Sequence, residues 1–171
     1  PQIHAPLVDT EGTSALLEKR LRGDDCILFP LTPRCQAQPV LSEHISVVQP
    51  GANNGGTTII DKSATELVLG LDWMPDESGF IFAITGGQFG QENSNVYAYD
   101  FTANSLTPLT NFDDDFVGGL SISPNGQKII FEFADEPTDP PQLWIMDIDG
   151  SNAQPLGIQG ESPDWQPGTG I

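Results

Sequence analysis

Basic residues are scarce in this chain: six Lys and Arg stand against 24 Asp and Glu, a formal charge of −18. A field of that sign repels nucleic acid and anionic membrane surfaces and favours solubility. Nucleic acid is thereby not expected as a partner. The field could attract cations or a basic partner, the alternative being a plain solvated acidic surface, which is the reading expected over it. Long hydrophobic runs are also missing. No apolar stretch approaches the roughly 20 residues that cross a bilayer as a helix, so membrane insertion is not expected. The chain opens on Pro-Gln rather than Met and shows no signal-peptide pattern. The expectation is that a leader has been removed or that the chain is a piece of something longer. Helical patterning is confined to SALLEKRL, residues 14–21, with Ser14 as an N-cap. Residues 1–25 thus read as an extended arm or a short helix.

Cysteine is nearly absent. Cys26 and Cys35 flank ILFPLTPR, and zinc would want four ligands where only His4 and His44 could assist. A disulfide closing this short loop is expected over two free thiols, and it points to an oxidising, extracytoplasmic compartment. Catalytic constellations are missing as well. His4 and His44 are far apart and lack a nearby Ser or Cys nucleophile. Ser123 precedes Pro124 in a turn, without the context of a nucleophile elbow. Gly86-Gly87-Gln88-Phe89-Gly90 is Gly-rich, but no helix opens after it to cradle a phosphate. No enzymatic activity is expected from this chain itself.

What is present is a repeat. LDWMPDESGFIFAIT at residues 71–85 is matched by LSISPNGQKIIFEFA at 120–134, and the chain ends in ESPDWQPGTGI. The prolines Pro75, Pro124 and Pro167 lie 49 and 43 residues apart. Periods of roughly 40–50 residues mark modular β architectures whose units cannot bury their own faces. Within each unit an aromatic, β-branched run (Phe80–Ile84, Ile129–Phe133) is followed by a loop. A second extended run then ends in Asp (Val96–Asp100, Leu143–Asp147), followed by a tight turn and a short strand at Leu106–Leu109 or Ala153–Leu156. Each unit reads as a four-stranded antiparallel meander. Upstream, His44–Val48 and Thr57–Asp61 read as a hairpin across QPGANNGG, with Cys26–Phe29 as a further strand of a degenerate unit, and Glu66–Leu69 leads into the first clear repeat.

The run Pro163-Asp164-Trp165-Gln166-Pro167-Gly168, with SISPNGQKIIFEF and LWIMDIDGSNAQPL, resembles the TolB-type β-propeller repeat. The resemblance covers residues 69–167 well and 26–68 faintly. It implies an all-β chain of about three to three and a half blades, set in a larger propeller. The arm takes 1–25, a degenerate blade 26–68, two blades 69–119 and 120–162, and a first or ring-closing strand 163–171. Trp73 and Trp165 would fill space between blades, and Pro-Asn-Gly and Asp149-Gly150 would supply turns. The family is generally periplasmic or extracellular and used chiefly for binding, with no universal catalytic residues. Because a closed propeller needs about four to eight blades, either the chain is part of a longer propeller or a second copy or another subunit completes the ring.

Two acidic segments are candidate cation sites. Asp147-Ile148-Asp149-Gly150-Ser151-Asn152 has oxygen donors of the kind calcium takes, but lacks the completing Glu, and the repeat explains it as a turn. Asp113, Asp114 and Asp115 are the speculative cation site, the alternative being a solvated acidic loop. Calcium is the one ion considered, and no cofactor is expected. Phe112 and Phe116, which flank the acidic run, and Phe89 are the candidate interaction residues; Phe112 and Phe116 could instead pack back on the blades. The chain therefore reads as a non-enzymatic binding or scaffold module engaging a protein partner or the remaining blades. The rivals are the propeller portion of a hydrolase or polysaccharide-active enzyme, and a structural subunit of a cell-surface assembly.

Overall fold

The computed structural model describes residues 2–3, 7–8, 15–22, 40–48, 57–63, 66–86, 93–113, 115–136 and 138–165. The described residues contain strands and turns and no helix. The chain divides into two compact units, Pro1–Leu67 and Val68–Ile171.

In the first unit, β1 (Gln2–Ile3), β2 (Leu7–Val8), β3 (Ala15–Arg22), β4 (Val40–Val48) and β5 (Thr57–Ser63) form one five-stranded sheet. The order is β1-β3-β4-β5, with β2 also on β3. The expected hairpin is β4 paired with β5, Ile45 opposite Ile60. The helix expected over residues 14–21 is corrected: Ala15–Arg22 is a strand. Its ladder to β4 runs from Ala15–Val48 to Arg22–Val40. Two helical turns are marginal on their own, whereas the ladder bonds the whole segment on one edge, with β1 and β2 on the other. Residues 2–3 and 7–8, within the segment read as an arm, are strands of this sheet. Cys26, Cys35 and the strand anticipated at Cys26–Phe29 lie outside the described residues.

The second unit, with the first residues of β6, holds two four-stranded antiparallel sheets. One is β6 (Glu66–Trp73), β7 (Gly79–Gly86), β8 (Asn93–Asp100) and β9 (Ser105–Pro108); the other is β10 (Phe116–Ile122), β11 (Lys128–Ala134), β12 (Gln142–Asp147) and β13 (Gln154–Gln159). These are the two anticipated meanders, and they repeat in detail. Met74 N–H bonds Gly79 O as Ser123 N–H bonds Lys128 O, and Phe101 N–H bonds Ser78 O as Ile148 N–H bonds Gln127 O. The left-handed turn position is Glu77 (φ 59°) in one sheet and Gly126 (φ 69°) in the other.

The sheets stack through alternate side chains. Ile81, Ala83 and Val96 of the first sheet and Val117, Ile129 and Phe131 of the second are fully buried in one core, joined by Leu120, Ile122, Phe133 and Met146. Burying each large aliphatic or aromatic group contributes about 1.5–3 kcal/mol. Gly70 lets the sheets close up, since a Cβ there would stand 3.0 Å from both Leu120 N and its Cγ. The opposite face of β7 and β8 is aromatic: Phe80 and Phe82 are buried, Phe80 stacking on Tyr99 at 5.3 Å and Phe82 on Tyr97 at 5.9 Å.

Asp72 ties the sheets together at their first strands. Its Oδ1 accepts from Trp73 N–H (2.9 Å), and its Oδ2 from Ile122 N–H (2.7 Å) and the Ser121 hydroxyl (3.1 Å). Burial raises its pKa above the usual carboxylate value, against the lowering effect of these donors, with Asp164 adding a small repulsion. A second tie lies at the far turn. Gly150 has φ +86°, and a Cβ there would stand 2.1 Å from Leu109 O of the segment leaving β9.

Two outcomes follow for stability. Replacing Gly150 with Ala forces a side chain into a left-handed conformation and into Leu109, so urea denaturation should show a loss of at least about 2 kcal/mol. For Asp72, a raised native pKa means that the folded state binds the proton more tightly than the unfolded one. Stability from this group is therefore greatest at low pH and falls as pH rises through the window just above 3.8. Asp72→Asn should remove that fall, so wild-type stability minus variant stability declines with pH across the window and then levels. A difference that is flat or rises with pH contradicts the assignment.

Candidate functional site

The segment joining the two sheets is held by Asn95 at the start of β8. Asn95 Oδ1 accepts from Phe112 N–H (2.8 Å) and the Thr110 hydroxyl (2.7 Å), while its Nδ2 donates to Phe112 O (3.2 Å). The Thr110 oxygen accepts Val96 N–H at 2.9 Å. Phe112 is thereby aimed into the second sheet, edge-on to Phe133 (5.1 Å) and Trp144 (6.2 Å). Phe133 and Trp144 stack at 4.3 Å. Of the candidate contact residues, Phe112 is thus a half-buried packing residue. Phe116 is half-buried on the wall of a cavity, and Phe89 lies outside the described residues.

Sequence reasoning took DEPTDPP, between β11 and β12, only as a loop. In the structure it borders two cavities that share Asp139 and Pro140. One, of about 250 Å³, is walled by Phe133, Trp144, Gln142, Gln159, Asp135 and Asp139. The other, of about 400 Å³, is walled by Phe116, Glu132, Asp139, Pro140, Pro141 and Glu161. Among the described residues no Lys, Arg or His lines either. The carboxylate of Glu132 lies over two glycines: a Cβ at Gly118 would meet its Oε2 at 2.2 Å and one at Gly119 its Oε1 at 2.9 Å. It accepts Ser162 N–H. The signals legible in advance were the three prolines and the acidic residues of the loop, and the glycine pair opposite an acidic strand position.

Of the proposed cation ligands, Asp113 is exposed and Asp115 half-buried, its backbone oxygen accepting Ser94 N–H (3.1 Å); Asp114 lies outside the described residues. Among the described residues no group of three His, Cys, Asp or Glu side chains is placed to hold a metal. The Asp147–Asn152 loop is bonded as a turn. Asp147 accepts from Lys128 Nζ and from Asn152 Nδ2 (2.6 Å), and Asp149 accepts from Ser151 N–H (2.9 Å) and its hydroxyl (2.6 Å). The Lys128 bond first, then Asn152, holds the Asp147 pKa below the usual value, and the Ser151 hydroxyl does so for Asp149. These lowered values stabilise the fold above the ordinary carboxylate range and lose that effect as pH falls, the opposite sense to Asp72.

No protein-family description matches the sequence, and no curated protein matches it. Among solved structures the chain is similar to TolB from Acinetobacter baumannii, at 16% identity and a TM-score of 0.56, with 85% of this chain covered and 30% of that one. It is also similar to a chain from a structural and mechanistic study of two prolyl endopeptidases, at 12% identity and a TM-score of 0.57, covering 92% and 22%. The chain thus spans less than a third of each. With the four-stranded antiparallel sheets, these likenesses place it in the all-β, propeller-type fold class.

Truncating Asn95 to Ala should orphan Phe112 N–H and loosen the ring from Trp144. A loss of about 1–3 kcal/mol in denaturant unfolding is expected, with increased solvent quenching of Trp144 fluorescence in a Trp73→Phe, Trp165→Phe background. Unchanged quenching would show that packing alone holds Phe112.

Proposed function

We propose that the chain is a non-enzymatic binding module of an extracytoplasmic β-propeller protein, engaging a protein partner at the β11–β12 end of its second blade. The observation that carries this reading is the pair of adjoining cavities. They combine aromatic walls (Phe116, Phe133, Trp144) with carboxylates (Glu132, Asp135, Asp139, Glu161) and, among the described residues, no basic one. Carboxylates accept charge-assisted hydrogen bonds from Lys and Arg, and aromatic faces attract the same cations. The net charge of −18 would speed the approach of a basic segment. The extracytoplasmic placement is supported by the cysteine spacing and the low Lys content of the sequence.

The test uses short synthetic peptides that are Lys/Arg-rich, Glu-rich or uncharged, titrated by calorimetry against the chain and against an Asp135→Asn, Asp139→Asn, Glu161→Gln variant. Glu132 is left intact because it bonds Ser162. Basic peptides should bind, more weakly at higher salt, and the variant should lose about tenfold in affinity, or about 1.4 kcal/mol, with its melting temperature unchanged. Binding without charge preference, or equal binding by the variant, overturns the reading.

A further inference from the structure

The chain holds two methionines, and their surroundings differ sharply. Met146 on β12 pairs with Ile129 and is 1% exposed, sealed in the core between the blades. Met74, in the turn after β6, is half-buried. It packs against that same core, yet it also lines a cavity of about 320 Å³ with Pro75, Asp76, Asn125, Gly126 and Ile148. Pro75, Asp76 and Asn125 are exposed, so the cavity opens to water. It lies on the seam, walled on one side by the β6–β7 turn and on the other by the turns of the second blade. The loop bordering the two acidic cavities is at the opposite end of β11.

The repeat does not require a methionine here. Its counterpart, before Pro124, is Ser123, whose hydroxyl oxygen closes the turn by accepting from Gln127 N–H (3.2 Å) and Lys128 N–H (2.9 Å). A thioether is a weak acceptor, and the first blade closes its turn by other means. Met74 N–H bonds Gly79 O (3.0 Å) and Glu77 N–H bonds Met74 O (2.8 Å). Asp76 Oδ1 accepts from Ser78 N–H (3.0 Å) and from its hydroxyl (2.6 Å). The Ser78 oxygen also lies 3.6 Å from Met74 Sδ. One hydroxyl carries one proton, and the carboxylate is both nearer and the stronger acceptor. The sulfur therefore keeps its lone pairs available for reaction.

We propose that Met74 is an oxidation site, reached by a small hydroperoxide through the seam cavity, and that its sulfoxide loosens the turn end of the seam. The sulfur lone pair attacks the outer oxygen of the hydroperoxide, so that an S–O bond forms as the O–O bond breaks. Sulfur is oxidised by two electrons and the peroxide is reduced to an alcohol, or to water for hydrogen peroxide. The proton of the transferred oxygen passes to the departing one. The product is polar where the thioether was apolar, and it stands where Met74 meets the core between the blades. Its new oxygen competes with Asp76 for the Ser78 hydroxyl, so turn and packing are disturbed together.

The test exposes the 171-residue chain to dilute hydrogen peroxide at neutral pH and follows each methionine by peptide mass spectrometry. Met74 should be oxidised at least about tenfold faster than Met146, and the two rates should converge in urea. Once Met74 is converted, the melting temperature should fall by about 2–4 °C. Met74→Leu, which conserves the volume of the side chain, should show no such fall. Equal rates in the folded chain, or a faster Met146, overturn the proposal. So does an unchanged melting temperature after conversion, or an equal fall in Met74→Leu, which would place the lesion elsewhere, Cys26 and Cys35 included. The rate comparison uses the natural sequence and holds whether or not the variant folds. The basic-peptide titration reads the opposite end of the second blade, so either result can fail without the other.

Discussion

The stacking of one four-stranded sheet on the next is the constraint from which the remaining features of Val68–Ile171 follow. Neither sheet can bury its two faces alone, and the shared core is made almost wholly from one face of each: Ile81, Ala83 and Val96 against Val117, Leu120, Ile129 and Phe131. Close approach requires a missing side chain at Gly70 and a bare backbone at Gly150, where Leu109 O stands. Those two glycines lie at different ends of the sheets, so the stacking is fixed at both its first strands and its outer turns. The segment linking the sheets is then short of room, and Asn95 meets its backbone polar groups by bonding both the N–H and the C=O of Phe112.

Asp72 shows how two effects compete within that stacking. An apolar residue at this position would avoid desolvation, but would leave Ile122 N–H without its acceptor, a loss of about 1–3 kcal/mol for a buried donor. The carboxylate satisfies three donors at once, yet burial outweighs them in its protonation equilibrium, so its pKa stands above the ordinary value. The turn aspartates are the reverse case. Asp149 is exposed and Asp147 half-buried at the surface, and there hydrogen bonds from Lys128, Asn152 and Ser151 outweigh a slight desolvation. The same residue type therefore serves two purposes in one repeat: Asp72 fixes one sheet to the next, and the turn aspartates shape turns within a sheet.

Much of the second unit was legible in the sequence because its signals are local. Strand runs such as Phe80–Ile84 and Ile129–Phe133, bounded by Pro, Asn and Gly, fix their own ends, and the spacing of Pro75 and Pro124 reports the repeat. Asp72 was not legible as an inter-sheet tie, although the Asp-Trp pair recurs at 72–73 and 164–165, since its partners lie some fifty residues away. Ala15–Arg22 was misread because Ala, Leu, Glu, Lys and Arg are good helix formers. What decides its state is the long-range ladder to Val40–Val48, which local propensity does not encode. At the candidate site, Phe112 and Phe116 were visible as aromatics beside an acidic run. Their division into a packing residue and a cavity wall depends on Phe133, Trp144 and the β11–β12 loop.

The repeat also explains why the second blade departs from the first where it does. Position for position, Ala83 gives way to Glu132, and Gly118 and Gly119 open the space that its carboxylate fills. The carboxylate of half-buried Glu132 accepts Ser162 N–H, and Ser162 immediately precedes the segment that repeats Leu120–Ile122 as Pro163–Trp165. The substitution therefore lowers the apolar content of the face while fixing the chain that crosses it.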